Sequence, residues 1–417
     1  MSSTPLPDAL PGDTAASPRW LSIVGIGEDG VEGLNPVARG LIGSAEIVFG
    51  GRRHLGLAAP LIRGAARPWP TPFDGAAEDV MRHRGRQVCV LASGDPFQYG
   101  VGAVLARHID AREMIVVPAA SAFSLAAARL GWSLPATVLV SVHGRTLDLI
   151  RPHLQPGARI LALTSDGDGP TALAKLLVES GFGASRLTVL EALGGSRERI
   201  RATTAAGYDL GAVDALNTLA IEAAAAAGAR VLARAPGLAD NLFEHDGQIT
   251  KREIRAVTLS SLAPRRGELL WDIGAGTGSV AIEWMLADPM MRAIAIEQRA
   301  DRADRIRRNA AAFGVPGLEI VEGAAPAALA DLAAPDAVFV GGGSETSVHD
   351  AAASALRPGG RLVVNAVTLE TEALLLARHA ALGGELIRIA VSRAVPVGEK
   401  TGWRAAMPVT QWLWTKP

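Results

Sequence analysis

The chain has 417 residues, a formal net charge of -1, 49% hydrophobic and 20% charged residues, which excludes a disordered protein and suggests two or three domains with buried cores. The near-neutral balance argues against a nucleic-acid partner, which calls for a concentrated basic excess. A single cysteine, Cys89, excludes an intrachain disulfide framework and a cysteine zinc site, and the eight histidines show no ligand spacing, so no metal is expected.

Residues 1–18 are rich in Ser, Pro, Ala and Asp and lack a basic start or a long apolar run; they read as a disordered leader. No apolar stretch is long enough to span a membrane, since the run 220–235 contains Glu222 and Arg230, and a cytoplasmic location is expected. From Trp20 onward, short apolar strands alternate with helical segments. Strands are predicted over 21–24, 45–49, 87–92, 114–117, 137–140, 160–163, 187–190 and 218–221. Several end in Gly, Pro or Asp, the α/β pattern that places functional loops at the carboxyl ends of strands. The stretch 236–247 mixes Pro, Gly, Asp, Asn and Glu and is the expected linker. The domains are therefore placed at 19–235 and 248–417. A second series follows, with strands over 268–273, 293–296, 318–321, 337–340 and 361–364. The alternating segment 409–414 is predicted as an edge strand.

The plainest chemical signal is Trp271-Asp272-Ile273-Gly274-Ala275-Gly276-Thr277-Gly278-Ser279, where a strand feeds a glycine turn and a helix is expected over 279–287. Glu297 ends the next strand, about 20 residues on, where an acid can bind ribose hydroxyls. The ligand should therefore carry adenosine. The third glycine comes too early for a dinucleotide fingerprint, and Asp272 would repel a pyrophosphate but could face a sulfonium or an α-amino group. These residues favour S-adenosylmethionine over NAD. Lys251, Arg252 and Arg255 read either as a solvated helix face or as site residues.

The stretch from Gln248-Ile249-Thr250-Lys251-Arg252-Glu253-Ile254-Arg255 through the glycine turn, Gly323-Ala324-Ala325-Pro326 and Phe339-Val340-Gly341-Gly342-Gly343 resembles the decarboxylating precorrin methyltransferases of cobalamin biosynthesis, which have a class I (Rossmann-like) methyltransferase fold. The resemblance implies a donor site lined by Thr250, Asp272, Gly274, Ala275, Gly276, Thr277, Gly278, Glu297 and Ala325; Ala324 departs from the family, where Asp is common.

Gly25-Ile26-Gly27-Glu28-Asp29-Gly30 satisfies a dinucleotide fingerprint, but Gly33 and Pro36 disturb the helix that should follow. Taken with Leu91-Ala92-Ser93-Gly94-Asp95-Pro96-Phe97-Gln98, Val117-Pro118-Ala119-Ala120-Ser121-Ala122-Phe123-Ser124, Ser141-Val142-His143-Gly144-Arg145 and Glu191-Ala192-Leu193-Gly194-Gly195, it resembles the two-lobed tetrapyrrole (corrin/porphyrin) methylases. The segment Gly50-Gly51-Arg52-Arg53-His54-Leu55 is similar to the subgroup acting on precorrin-6B, while Glu28 and Ala119 stand where that family has Pro and Gly. This resemblance implies a second S-adenosylmethionine site at Ser93, Gly94, Asp95, Gln98, Ser121, Ala122, His143 and Gly194. Asp95 also reads as a plain turn residue before Pro96, and His143 as an ordinary half-buried histidine.

Together the two resemblances imply methylation of precorrin-6B at meso carbons 5 and 15, with loss of the ring C acetate, to give precorrin-8X. The pyrrole nitrogens activate the carbon, so the protein must align the reactants and exclude water, and no nucleophile set is expected. Arg52, Arg53, Arg145 and Arg197 in the first domain, and Lys251, Arg252, Lys400 and Arg404 in the second, are candidates to grip the substrate carboxylates. Relatives of the second domain imply a homo-oligomer. RNA methylation and a non-catalytic scaffold are the competing readings. The missing basic excess counts against the first, and the intact glycine loops count against the second.

Overall fold

The computed structural model describes residues 19–70, 73, 75–342 and 344–417. The expected leader and Gly343 lie outside them. The chain divides into two compact units. The first holds the chain up to Arg145 together with Gly157–Ala229, and the second holds Thr146–Pro156 together with Arg230–Pro417.

The first unit contains two five-stranded sheets. β1 (Leu21–Ile26), β2 (Ile47–Gly50), β3 (Ala65–Pro68), β4 (Val88–Ser93) and β5 (Met114–Val117) form an all-parallel sheet in the order β3-β2-β4-β1-β5. β1 and β2 are buried along their whole length and β4 up to its last residue, which is why they read as unbroken apolar runs. β6 (Val138–Ser141), β7 (Arg159–Leu163), β8 (Arg186–Glu191), β9 (Arg199–Thr204) and β10 (Asn217–Glu222) form the second sheet, in the order β6-β7-β10-β8-β9. Only its β6–β7 pair is parallel.

The second unit is built on β11 (Leu269–Ile273), β12 (Arg292–Glu297), β13 (Glu319–Glu322), β14 (Ala337–Val340), β15 (Arg361–Ala366), β16 (Glu385–Ile389) and β19 (Val409–Thr415), in the order β13-β12-β11-β14-β15-β19-β16. The first five are parallel and the last two pair antiparallel. β17 (Ser392–Val397) and β18 (Lys400–Ala405) make a separate hairpin. Successive side chains of a strand point to opposite faces, so Leu270 enters one core with Trp284 and Phe313 while Trp271 enters another with Val340 and Trp412.

Two expectations change. β19 is not an edge strand, since it lies between β15 and β16. The stretch 236–247 is no free connection: Leu238 and Phe243 are buried in the second unit's core, and Phe243 stacks on Phe313 at 4.2 Å between ring centroids. Strand order reverses beside β1, between β4 and β5, and beside β11, between β12 and β14. Open α/β sheets hold ligands at the carboxyl ends of strands at such points. Among the described residues, no helix is long and apolar enough to cross a membrane.

Candidate functional site

In the first unit, the loops leaving β1, β4 and β5 meet over a cavity of about 470 Å³. Close backbone approach builds its floor. The Gly94 N–H donates to the Ile26 carbonyl at 3.3 Å, and the Ala119 N–H donates to the Gly94 carbonyl at 3.1 Å. A Cβ on Gly25 would lie 1.8 Å from that Gly94 oxygen, so the first glycine of the apparent fingerprint serves packing.

Of the residues expected to touch a donor in this unit, Ser93, Gly94, Gln98, Ser121, Ala122 and His143 line this cavity. Ser121 also caps the helix Ala122–Leu130, its Oγ accepting from the Ser124 N–H at 3.2 Å. The His143 Nδ1 lies 3.0 Å from the Thr164 carbonyl, which can only accept, so Nδ1 donates to it. Two expected residues stand behind the lining. The Asp95 carboxylate accepts from the Phe97 N–H at 2.8 Å and acts as a turn residue. The Gly194 N–H donates at 2.7 Å to Glu198, which pairs with Arg129.

The basic candidates divide. Arg53 lines the cavity and pairs with Glu28, which also lines it. Arg197 lies 3.6 Å from the same Glu28 and pairs with Asp214. Arg145 stands 5.9 Å from the ring centroid of Tyr99, another lining residue. Arg52 is exposed and outside the lining. Sequence reasoning missed Glu28, His54, Thr164 and Asn217 as cavity residues. His54 sits inside a quoted motif, and Glu28 was visible as a departure from the family.

In the second unit, Gly274, Gly276 and Gly278 all adopt positive φ. A Cβ on Gly274 would lie 2.6 Å from the Gly342 carbonyl oxygen, so the loops after β11 and β14 touch at the switch point. Glu297 is buried at the end of β12. It accepts from the Gly276 N–H at 2.9 Å and from the Arg299 N–H at 3.0 Å. Asp272 is also buried, and its Oδ2 accepts from the Ala281 N–H at 3.1 Å while Oδ1 has no partner. Burial pushes the Asp272 carboxyl up to about 7; the Ala281 N–H opposes that shift and the charge of Glu297 adds to it. Thr277 is buried, and its carbonyl accepts from Asn309 at 3.0 Å. Ala275 is half-buried beside one core and Ala325 beside the other.

The segment before Thr250 passes beside this loop as a strap, the Gln248 carbonyl lying 4.0 Å from a Cβ built on Gly276. Arg255 fixes that strap. It is fully buried, donates to Glu283 at 2.6 Å and donates to the carbonyls of Leu238 and Thr250. Of the three basic residues read as a possible solvated face, Arg255 is therefore inside. Lys251 lies 3.8 Å from Asp240, and Arg252 is exposed. Lys400 and Arg404 are exposed on the β17–β18 hairpin, apart from the seven-stranded sheet.

Two families match along the chain. The tetrapyrrole (corrin/porphyrin) methylases match residues 21–208, and the precorrin methyltransferase domain matches residues 241–416. A precorrin-6Y C(5,15)-methyltransferase [decarboxylating] from Sinorhizobium sp is 63% identical over 398 residues, covering 95% of this chain and 96% of that one. The chain belongs to the decarboxylating precorrin-6Y C(5,15)-methyltransferases. A protein of the same name from Mycobacterium tuberculosis is 40% identical over 402 residues, with 94% and 99% covered. A probable cobalt-precorrin-6B C(15)-methyltransferase (decarboxylating) from Saccharolobus solfataricus is 35% identical over 184 residues, 42% of this chain and 92% of that protein. The family uses S-adenosylmethionine in cobalamin biosynthesis, and the RNA-methylation reading has no support among these relatives.

Proposed function

We propose that each unit holds its own S-adenosylmethionine site and carries out one of two methylations of precorrin-6B, giving precorrin-8X after loss of the ring C acetate as carbon dioxide. The observation that carries this reading is the pair of switch-point sites, one per unit, each with close glycine contacts and polar groups aimed inward. In the first unit, Ser93, Gly94, Gln98, Ser121, Ala122 and His143 contact the donor, with Asp95 and Gly194 shaping the loops behind them. In the second, Gly274 to Gly278 and Glu297 hold the nucleoside end, with Thr250 and Ala325 at the rim. The Asp272 Oδ1, buried without a partner, suits a cationic group. When bound, the donor supplies an electrophilic methyl on a sulfonium leaving group.

The residues of the chain bind, orient and exclude water. Arg53, Arg197 and Arg145 gather at the first cavity and take substrate carboxylates, which compete with Glu28 for the two arginines it holds. The second unit methylates carbon 15 and decarboxylates. A half-length relative whose name carries both activities supports that division. Lys251, Arg252, Lys400 and Arg404 supply its cationic rim.

Mass spectrometry of precorrin-6B incubated with the protein and trideuteromethyl donor tests the reading. Two labelled methyl groups and loss of one carbon dioxide are expected. A product with one methyl, or with its acetate intact, would refute the division of labour.

A further inference from the structure

The first cavity contains a hydrogen-bonded chain that joins Ser93 and Arg53 to His54, a residue with no part in the donor and carboxylate contacts proposed above. His54 lies on the helix Arg52–Ala58 that follows β2. Its Nε2 is 2.8 Å from the Ser93 Oγ at the end of β4, and 2.8 Å from the Arg53 Nη2. A guanidinium only donates, so Nε2 carries the lone pair and the ring proton is on Nδ1. The Ser93 Oγ also accepts from the Arg53 Nη2 at 2.8 Å, and its own proton shares the His54 Nε2 lone pair with that guanidinium. Ser93 is exposed where it lines the cavity, whereas the Nδ1 of His54 is buried without a partner. Burial, and then the charge of Arg53, holds His54 down to about 4, so the imidazole is neutral at pH 7.

We propose that Ser93 and His54 are the proton exit for the methylation carried out in the first unit. The inference rests on reading this cavity as the donor and substrate cleft. A carbon–carbon bond forms between the meso carbon and the donor methyl as the sulfur–methyl bond breaks, its electron pair staying on sulfur. The meso carbon then carries both its hydrogen and the new methyl. Conjugation returns when that hydrogen leaves as a proton, its bonding pair going back to the ring system. The Ser93 Oγ takes this proton while passing its own to the His54 Nε2, so the imidazolium is the final acceptor. The charged groups facing His54 are Arg53 on its own helix and, behind Arg53, Glu28 after β1 with Arg197 attached.

The test uses the full-length chain with precorrin-6B and labelled donor in single turnover. His54→Gln should slow the first-unit methylation by about 100-fold or more, the general-base range, while donor affinity by calorimetry stays within about twofold. Ser93→Ala should slow it in the same direction. The wild-type rate should fall toward acid pH, and that limb should vanish in His54→Gln. Nitrogen-detected NMR of the free protein should show His54 protonated at Nδ1. A full-rate His54→Gln, a slow variant that keeps the acid limb, or a proton on Nε2 would each overturn the proposal. Ser121→Trp tests the underlying reading by filling the cavity. If donor stoichiometry and first-unit methylation survive it, the cleft is elsewhere, whatever His54→Gln does.

Discussion

Asp272→Asn should change the proton balance of donor binding, because the structure leaves this carboxylate buried with one oxygen unpartnered. Its carboxyl is raised from 3.8 to about 7, with burial the leading cause. Between those pH values the folded chain holds a proton that the unfolded chain has released. The group therefore costs nothing at acid pH and costs stability increasingly as pH rises toward 7, reaching roughly 4 kcal/mol at 1.36 kcal/mol per pH unit. A cationic donor group beside Asp272 reverses the preference by favouring the ionised form. At about pH 6 only about a tenth of the free protein has Asp272 ionised, so binding should release close to one proton there. Donor affinity at the second site should then be about tenfold weaker near pH 6 than near pH 8, roughly 1.4 kcal/mol. Calorimetry in two buffers of different ionisation enthalpy measures the protons released, and subtracting Asp272→Asn isolates this group from the donor and the other site. Equal proton release in wild type and variant would refute the placement of a cation at Asp272.

Glu297→Gln should weaken donor binding in the second unit by about 1–3 kcal/mol, since both carboxylate oxygens accept backbone N–H groups and an amide would turn a donor against one of them. Product analysis should show a singly methylated tetrapyrrole that keeps its acetate. Gly25→Ala should destabilise the first unit by about 1–3 kcal/mol or more, because the new Cβ meets the Gly94 carbonyl oxygen at 1.8 Å; thermal melts with and without donor would register it. A fragment starting at Arg230 should fold, whereas one starting at Asp246 should melt earlier. The shorter piece loses Leu232, Leu238 and Phe243 from the core, together with the Gly237 and Leu238 N–H donors that Glu283 accepts at 2.6 and 3.0 Å. Circular dichroism of the two fragments would decide.

Short apolar strands announced themselves in the sequence: β14, buried along its length, and β5, half-buried after Met114, match the expected segments residue for residue. The missed strands carry little apolar signal. β3 is exposed throughout, and β9 is held by charge, with Arg199 and Arg201 both paired to the buried Glu191. β19 read as an edge because Thr410 and Gln411 interrupt its apolar run, yet both are buried. Gln411 donates to Thr258 at 3.1 Å and to Asn365 at 2.8 Å, and accepts from Ser261 at 2.7 Å. A buried polar group with partners looks the same in sequence as a solvated one. The same ambiguity hid Arg255, whose partner Glu283 lies 28 positions away. The glycine loops were legible because backbone approach demands glycine itself, whereas the cavity roles of His54 and Glu28 depend on partners from other strands.

The central claim is that each unit binds its own methyl donor. Equilibrium titration of the full-length chain with radiolabelled S-adenosylmethionine, without tetrapyrrole, tests it most directly. Two donors per chain are predicted, falling to one in Glu297→Gln at donor concentrations that saturate the first unit alone. A stoichiometry of one in the wild-type chain would contradict the account.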